Sequence, residues 1–295
     1  MRALVTGATG FVGGGLARRL LADGVEVRCL ARDASRVSEL ERLGAEVHEG
    51  DVLQPETLAG AGRDVDVAYY LIHAMGSGRR GDLHARERAG AEAFARMARA
   101  DGVRRVVYLG GLGDPSASPH LRARHETAEV LAEHGPPVVY MRAGMVVGAG
   151  SASYRTLRAL VERLPAMIAP AWLFNRTQPI AIDDVIEYLV RAIELPSGAH
   201  EVQIGGPDVM TYAAMLDAMA DALGRRRRPK LRVPLLTPRL SSLWIGLVTP
   251  VDSGVARPLV ESLRTTTVVT DPGPAAAMGV EPRSLDEALR RALAE

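Results

Sequence analysis

The tightest constraint on this chain is the string TGATGFVG at residues 6–13, which follows an apolar run at residues 2–6 and opens a helix-like segment containing Phe11, Val12, Leu16, Leu20 and Leu21. Glycines at a strand-to-helix junction have separate duties. Gly7 makes the tight turn, Gly10 lets the backbone approach a pyrophosphate, and Gly13 lets the helix pack against its strand. Thr9, Phe11 and Val12 complete the loop and the first helical turn, whose amides and positive dipole end stabilise an anion. The string predicts a nucleotide-binding βα unit.

The rhythm behind it is consistent. Strand-like runs at residues 25–30, 46–49, 67–72, 106–109 and 138–141 alternate with helical patterns at 35–43, 83–100 and 121–134. Such βαβ alternation predicts a parallel sheet with helices on both faces. Beyond residue 150 helical periodicity persists at 154–163, 183–194, 212–223 and 285–293, but proline punctuates every interval, among them Pro165, Pro170, Pro179, Pro196 and Pro207. The expected organisation is a dinucleotide-binding unit over 1–150 and an interwoven, loop-rich unit over 151–295. Because ligands of open α/β sheets bind beyond the carboxyl ends of the strands, the second unit is placed to cover the cofactor and shape a substrate pocket. The fold class is α/β: a Rossmann-type doubly wound parallel sheet with a smaller C-terminal region covering the substrate.

Composition excludes several alternatives. Thirty-six Lys plus Arg against 35 Asp plus Glu leave a net charge of +1, no field to draw nucleic acid, while 47% apolar residues exclude a disordered chain. Cys29 is the only cysteine, so an internal disulfide is impossible, and no pattern indicates a metal site. The first strand starts at the N-terminus, which leaves no room for a signal segment; a cytoplasmic protein is expected.

Cofactor choice should lie at the end of the second strand, in VRCLARDASR at residues 27–36. A carboxylate there bonds the 2′-hydroxyl of NAD, whereas arginine accommodates the 2′-phosphate of NADP. Arg32 comes first, Arg36 lies one turn beyond, and Asp33 can cap the next helix. NADP(H) is therefore the expected cofactor, with NAD(H) the alternative. Asp51 and Val52 suit the adenine edge and face. His73 and Ala74 close the fourth strand, where the crevice should be, and Met75 follows at the pocket.

TGATGFVG, the Gly50–Asp51 pair and RAGMVVG at residues 142–148 resemble the short-chain dehydrogenase/reductase superfamily. The nearer resemblance is to its atypical, NmrA-like branch, which shares features with the sugar-nucleotide epimerases and the complex I 39-kDa subunit type. YYLIHAMG, VVYLGGLG, HLRAR, QPIAIDDV and IGGPDVMTY also resemble a group of bacterial NAD(P)H-binding proteins in that branch, over nearly the whole chain. The resemblance implies a serine after the fifth strand and a YxxxK pair on the next helix: the tyrosine protonates a carbonyl oxygen, and the lysine binds the nicotinamide ribose. Here Gly110 and Gly111 stand at the serine position, His120 at the tyrosine and Arg124 at the lysine. Four residues apart, His120 and Arg124 share one helix face. An imidazole is a capable general acid near neutrality, and arginine bonds ribose hydroxyls and offsets oxyanion charge.

Two readings follow. One is a reductase of an apolar carbonyl, enone or quinone-like acceptor, with His120 as proton donor, Arg124 as ribose and oxyanion contact and His73 as a second polar group. The other is a non-catalytic NADP(H)-binding sensor or assembly protein of the NmrA-like type. Ser116 or Ser118 could return a hydroxyl to the missing serine position. Met145, Tyr154, Trp172 and Phe174 suggest an apolar pocket for a small-molecule substrate. The basic RRRRPKLR followed by an apolar stretch with Trp244, together residues 225–248, could make weak membrane-surface contact. Asp183 and Asp184 read as an N-cap and first-turn charge. A monomer, or a homodimer through the helices at 83–100 and 121–134, is expected.

Overall fold

The apolar runs of the first half form one sheet in the computed structural model, which describes residues 1–72, 80–232 and 265–295. Its strands are β1 (Arg2–Thr6), β2 (Glu26–Ala31), β3 (Glu46–Glu49), β4 (Val67–Tyr70), β5 (Arg105–Gly111) and β6 (Val138–Ala143). Later come β7 (Val146–Val147), β8 (Met167–Ala169), β9 (Arg176–Thr177), β10 (Ile180–Ala181), β11 (His200–Ile204), β12 (Met210–Thr211) and β13 (Lys230–Arg232). The sheet runs β11-β6-β5-β4-β1-β2-β3, all parallel. This is a Rossmann-like α/β fold. The remaining short strands pair in twos.

β11 is the addition the sequence did not announce. It comes from the second half and continues the sheet beside β6, with Gln203 opposite Arg142. The two halves therefore share one sheet.

Helices α1 (Phe11–Ala22), α2 (Ser38–Arg42), α3 (Arg80–Ala100), α4 (Pro119–His134), α5 (Ala152–Arg163), α6 (Ile182–Arg191), α7 (Tyr212–Ala222), α8 (Gly273–Ala276) and α9 (Leu285–Ala294) complete the fold. On one face of the sheet Leu16 and Leu20 of α1 meet Val185 and Leu189 of α6 over Val5, Val27 and Tyr69. Phe94 and Ala98 of α3, with Leu131 of α4, cover Leu4, Tyr70 and Tyr108 on the other. Strands buried on both faces read as unbroken apolar runs, as β1 and β4 do. Each fully buried leucine contributes about 1.5–3 kcal/mol of burial free energy.

Two charged residues lock the second half in place. Arg105, buried at the start of β5, donates to Ala192 O (2.7 Å) and Leu195 O (2.8 Å), satisfying carbonyls at the C-terminal end of α6 and offsetting its dipole. Asp184, 1% exposed, accepts from the Arg283 amide at 2.7 Å and pairs with the Arg283 guanidinium. Asp183 pairs with Arg291 of α9 at 3.0 Å. Both carboxylates lie in the first turn of α6, whose N-cap is Ala181; neither is the cap itself. No helix among the described residues is long and apolar enough to cross a membrane.

Candidate functional site

The turn after β1 is built as the glycine spacing requires. Gly7 adopts φ +66°, and a Cβ there would stand 2.6 Å from Leu71 O; one at Gly13 would stand 2.3 Å from Gly7 O. Both glycines are demanded by the protein's own backbone. Gly10 differs: its Cβ would meet only Gly7 O, at 3.1 Å, and otherwise open space. Gly10 is also the N-cap of α1, with no side-chain cap and no acidic residue in the first turn, so the helix amides face outward. Thr9 and Gly10 are exposed, Phe11 and Val12 half-buried. An exposed, uncapped helix end beside a cradle that a side chain would fill fits a dinucleotide pyrophosphate.

Two supports of this loop carry no obvious sequence signal. Buried Thr6 donates from Oγ1 to Tyr69 O and accepts from the Leu71 amide, both at 3.0 Å, which joins the ends of β1 and β4. The Phe11 ring occupies the space left by Gly148 and Gly150, where Cβ atoms would stand 2.7 and 2.4 Å from it. The glycines of RAGMVVGAG thus seat the first turn of α1 against the second half.

At the end of β2, Arg32 and Arg36 are exposed, and their side chains form no ion pair among the described residues. Asp33 is engaged locally: its Oδ1 accepts from Ser35 Oγ at 2.6 Å and the Ser35 amide at 3.0 Å, so it caps the 3-10 turn at Ala34–Val37. Those bonds, first the hydroxyl and then the amide, hold its carboxyl below the usual carboxylate range. Beyond β3, Asp51 Oδ1 accepts from the Leu53 amide (3.0 Å), while Val52 is buried, and a Cβ on Gly90 would stand 2.9 Å from its Cγ2. Cys29 lies inside β2, where burial pushes its thiol up to about 11.

The junction from β5 to α4 is crowded. A Cβ on Gly110 would lie 2.4 Å from the Tyr140 ring, and one on Gly111 would lie 2.6 Å from Leu121 Cδ2. Glycine at these positions is a packing requirement. Arg142 of β6 holds the same junction, donating to Gly111 O (3.3 Å) and Gly113 O and pairing with Glu201 of β11 (2.8 Å). Behind it Tyr70, Tyr108 and Tyr140 stand in register on adjacent strands, with centroids 6.1 and 5.6 Å apart. Burial pushes all three phenols up.

His120 is half-buried in the first turn of α4. Arg124, one turn on, is 8% exposed; its guanidinium donates to Leu109 O and lies 5.2 Å from the centre of the Tyr108 ring. Its charge therefore sits beneath the carboxyl end of β5. His73, Ala74 and Met75 lie outside the described residues. Met145, Trp172 and Phe174 are partly buried against one apolar cluster; Tyr154 is buried inside it, its hydroxyl donating to Ala292 O at 3.2 Å. Tyr154 thus pins α5 to α9.

The basic run is largely engaged. Arg227 pairs with Asp221 (2.7 Å), Lys230 with Asp217, and Arg225 and Arg228 donate to Glu162 O and Val161 O at the end of α5. The apolar stretch containing Trp244 lies outside the described residues. A groove of about 580 Å³ between the 3-10 turn Pro55–Leu58 and α3 contains none of the residues named as site candidates.

The profile of the NAD(P)H-binding family matches residues 7–158, more than half of the chain. The chain belongs to the NAD(P)H-binding family. Among curated relatives in sequence, the sterol demethylase protein B of Methylococcus capsulatus is 35% identical over 121 residues, which is 40% of this chain and 37% of that protein. The ceramide reductase of Caulobacter vibrioides is 27% identical over 235 residues, covering 78% and 73% respectively. The photosystem II assembly factor Ycf39 of Synechocystis sp. is 26% identical over 212 residues, covering 68% and 61%. In structure, the triphenylmethane reductase of Citrobacter sp., complexed with NADP(H), superposes with a TM-score of 0.74 at 18% identity over 99% of this chain and 100% of its own. That likeness shows the fold.

Proposed function

We propose that the chain is an NADPH-dependent reductase that transfers hydride to an apolar carbonyl, enone or quinone-like acceptor. The observation that carries the cofactor choice is the division of labour after β2: Arg32 and Arg36 are exposed and form no ion pair among the described residues, Arg36 acting on Asp33 only through its charge, while Asp33 is bonded to its own turn. Two exposed guanidinium groups at this strand end favour NADP over NAD, since each can bond a 2′-phosphate.

When bound, the reduced nicotinamide supplies a hydride, two electrons and one hydrogen, to the acceptor carbon. The chain's residues then manage the oxygen. His120 as imidazolium gives its proton to that oxygen, is left as neutral imidazole and regains a proton from solvent. Arg124 keeps positive charge at the end of β5, where it offsets the oxyanion and meets the ribose. Met145, Trp172 and Phe174 supply an apolar wall suited to a lipophilic acceptor. Reductases among the relatives support this reading.

The second reading, an NADP(H)-binding sensor or assembly protein, is favoured by the glycines at the serine position and by the relative named as an assembly factor. NADPH oxidation with a panel of aldehydes, ketones, enones and quinones separates the two. The reductase reading expects turnover of at least one class; tight NADPH binding with no turnover on any would leave the sensor.

A further inference from the structure

The start of α4 leaves two hydrogen-bond donors unmet at one place. Ser118 is the N-cap of this sixteen-residue helix, in extended conformation (φ −144°, ψ 130°), and its carbonyl accepts the first helical bond from Arg122 at 2.9 Å. An N-cap serine ordinarily accepts from the amide two or three residues on, here His120 or Leu121. That bond is not made. Ser118 is fully buried, and its Oγ has no hydrogen-bond partner among the described residues. The Leu121 amide likewise finds no acceptor among the described residues. A buried donor left unpaired costs about 1–3 kcal/mol, so the Ser118 hydroxyl is an expensive arrangement unless something else satisfies it, and the Leu121 amide beside it is one of the first-turn donors that a helix leaves open.

The helix is also held where it is. The Leu121 side chain fills the room left by Gly111 and Gly113, whose Cβ positions would lie 2.6 and 3.1 Å from its δ-carbons. Arg142 fixes the carbonyls of those same two glycines. Sliding α4 to heal its own cap would break this packing. Because α4 follows β5, its N-terminus stands at the carboxyl edge of the sheet, the edge at which such folds bind ligands. The dipole end adds positive potential there, and Pro119 at the first helical position contributes no amide.

We propose that the N-terminus of α4 is the oxyanion site of the reaction, with Ser118 Oγ–H and Leu121 N–H holding the acceptor's carbonyl oxygen as negative charge develops on it. This rests on the reductase reading and deepens it. Ser118 keeps its own proton and donates a hydrogen bond; the proton that ends on oxygen comes from His120. The ligand recognised is a single anionic or carbonyl oxygen on an apolar body.

Two measurements test the site together. The first is calorimetric titration of benzoate, a carboxylate on an apolar ring, into the NADP⁺-saturated protein. Ser118→Ala should weaken benzoate at least about 10-fold and Ser118→Thr should restore it; removal of a single oxyanion donor lowers kcat about 10²–10³-fold. Equal benzoate affinity in wild type and Ser118→Ala, or no binding to either, overturns the site. A lowered melting temperature with unchanged affinity and kcat would make Ser118 a packing residue and overturn the site. If the alanine variant does not fold, Ser118→Gly removes the same hydroxyl at little cost to the cap. If the wild type turns over no acceptor, the reductase reading fails while the benzoate titration still decides whether the anion site exists.

Discussion

Gly110 lies against Tyr140 so closely that a Cβ would stand 2.4 Å from the ring. The ring cannot move aside freely, because it stacks on Tyr108 at 5.6 Å and meets His125 at 5.9 Å. Restoring the serine expected at this strand end should therefore damage the fold rather than improve chemistry. Overpacking of this kind costs about 1–3 kcal/mol. Gly110→Ser should lower the urea midpoint by that equivalent with no gain in NADPH oxidation; an unchanged midpoint and a faster reaction would refute the packing argument.

The phosphate turn separates two kinds of glycine. Gly13→Ala drives a Cβ to 2.3 Å from the Gly7 carbonyl, so it should destabilise the chain by several times the about 1 kcal/mol of a typical substitution. Gly10→Ala meets only a 3.1 Å contact and should fold with a nearly normal melting temperature, yet bind NADPH at least about 10-fold more weakly, about 1.4 kcal/mol. Melting curves and NADPH fluorescence titrations on both variants check the distinction.

Arg32 and Arg36 should act on NADPH and not on NADH. Replacing both by alanine is expected to weaken NADPH at least about 10-fold, leave NADH within a factor of about two, and flatten the salt dependence of NADPH binding. Equal losses for both cofactors would place the arginines elsewhere than at a 2′-phosphate.

Removal of Arg283 leaves Asp184 buried without its cation. Burial already raises the Asp184 carboxyl above its ordinary value, and the Arg283 contacts work against that rise. A folded-state value above the unfolded one means that the native state takes up the proton more readily. The contribution is thus fully present below the unfolded value and lost as pH rises through the folded one. Without Arg283 the folded value moves further up. Arg283→Ala should cost about 2–4 kcal/mol at pH ~7, and the deficit should shrink as pH falls towards ~5. Denaturant unfolding at both pH values checks the sign; a deficit that grows on acidification would contradict it.

The parts legible in the sequence are those fixed by near neighbours. Gly7, Gly10 and Gly13 constrain one turn through atoms a few residues away, and Asp33 caps the turn that follows it, so spacing alone revealed both. The illegible parts depend on contacts from far along the chain. β11 joins the sheet through pairing with β6 some sixty residues earlier, and nothing in HEVQI announces that edge. Gly148 and Gly150 make room for Phe11, and Arg105 reaches carbonyls about ninety residues away. In the basic run at 225–230, Arg227 and Lys230 pair with Asp221 and Asp217, and Arg225 and Arg228 reach the end of α5, contacts that its sequence does not announce. Tyr154, read as part of the pocket wall, has its hydroxyl on the Ala292 carbonyl.

In the proposed reaction His120 gives the proton while NADPH gives the hydride. The most direct test is steady-state NADPH oxidation with the best acceptor by wild type and His120→Ala, alongside NADPH affinity for each. General acid catalysis contributes about 10²–10⁴-fold, so the variant should lose kcat by at least about 100-fold while its NADPH dissociation constant stays within a factor of about two. Turnover that survives His120→Ala undiminished would contradict the account.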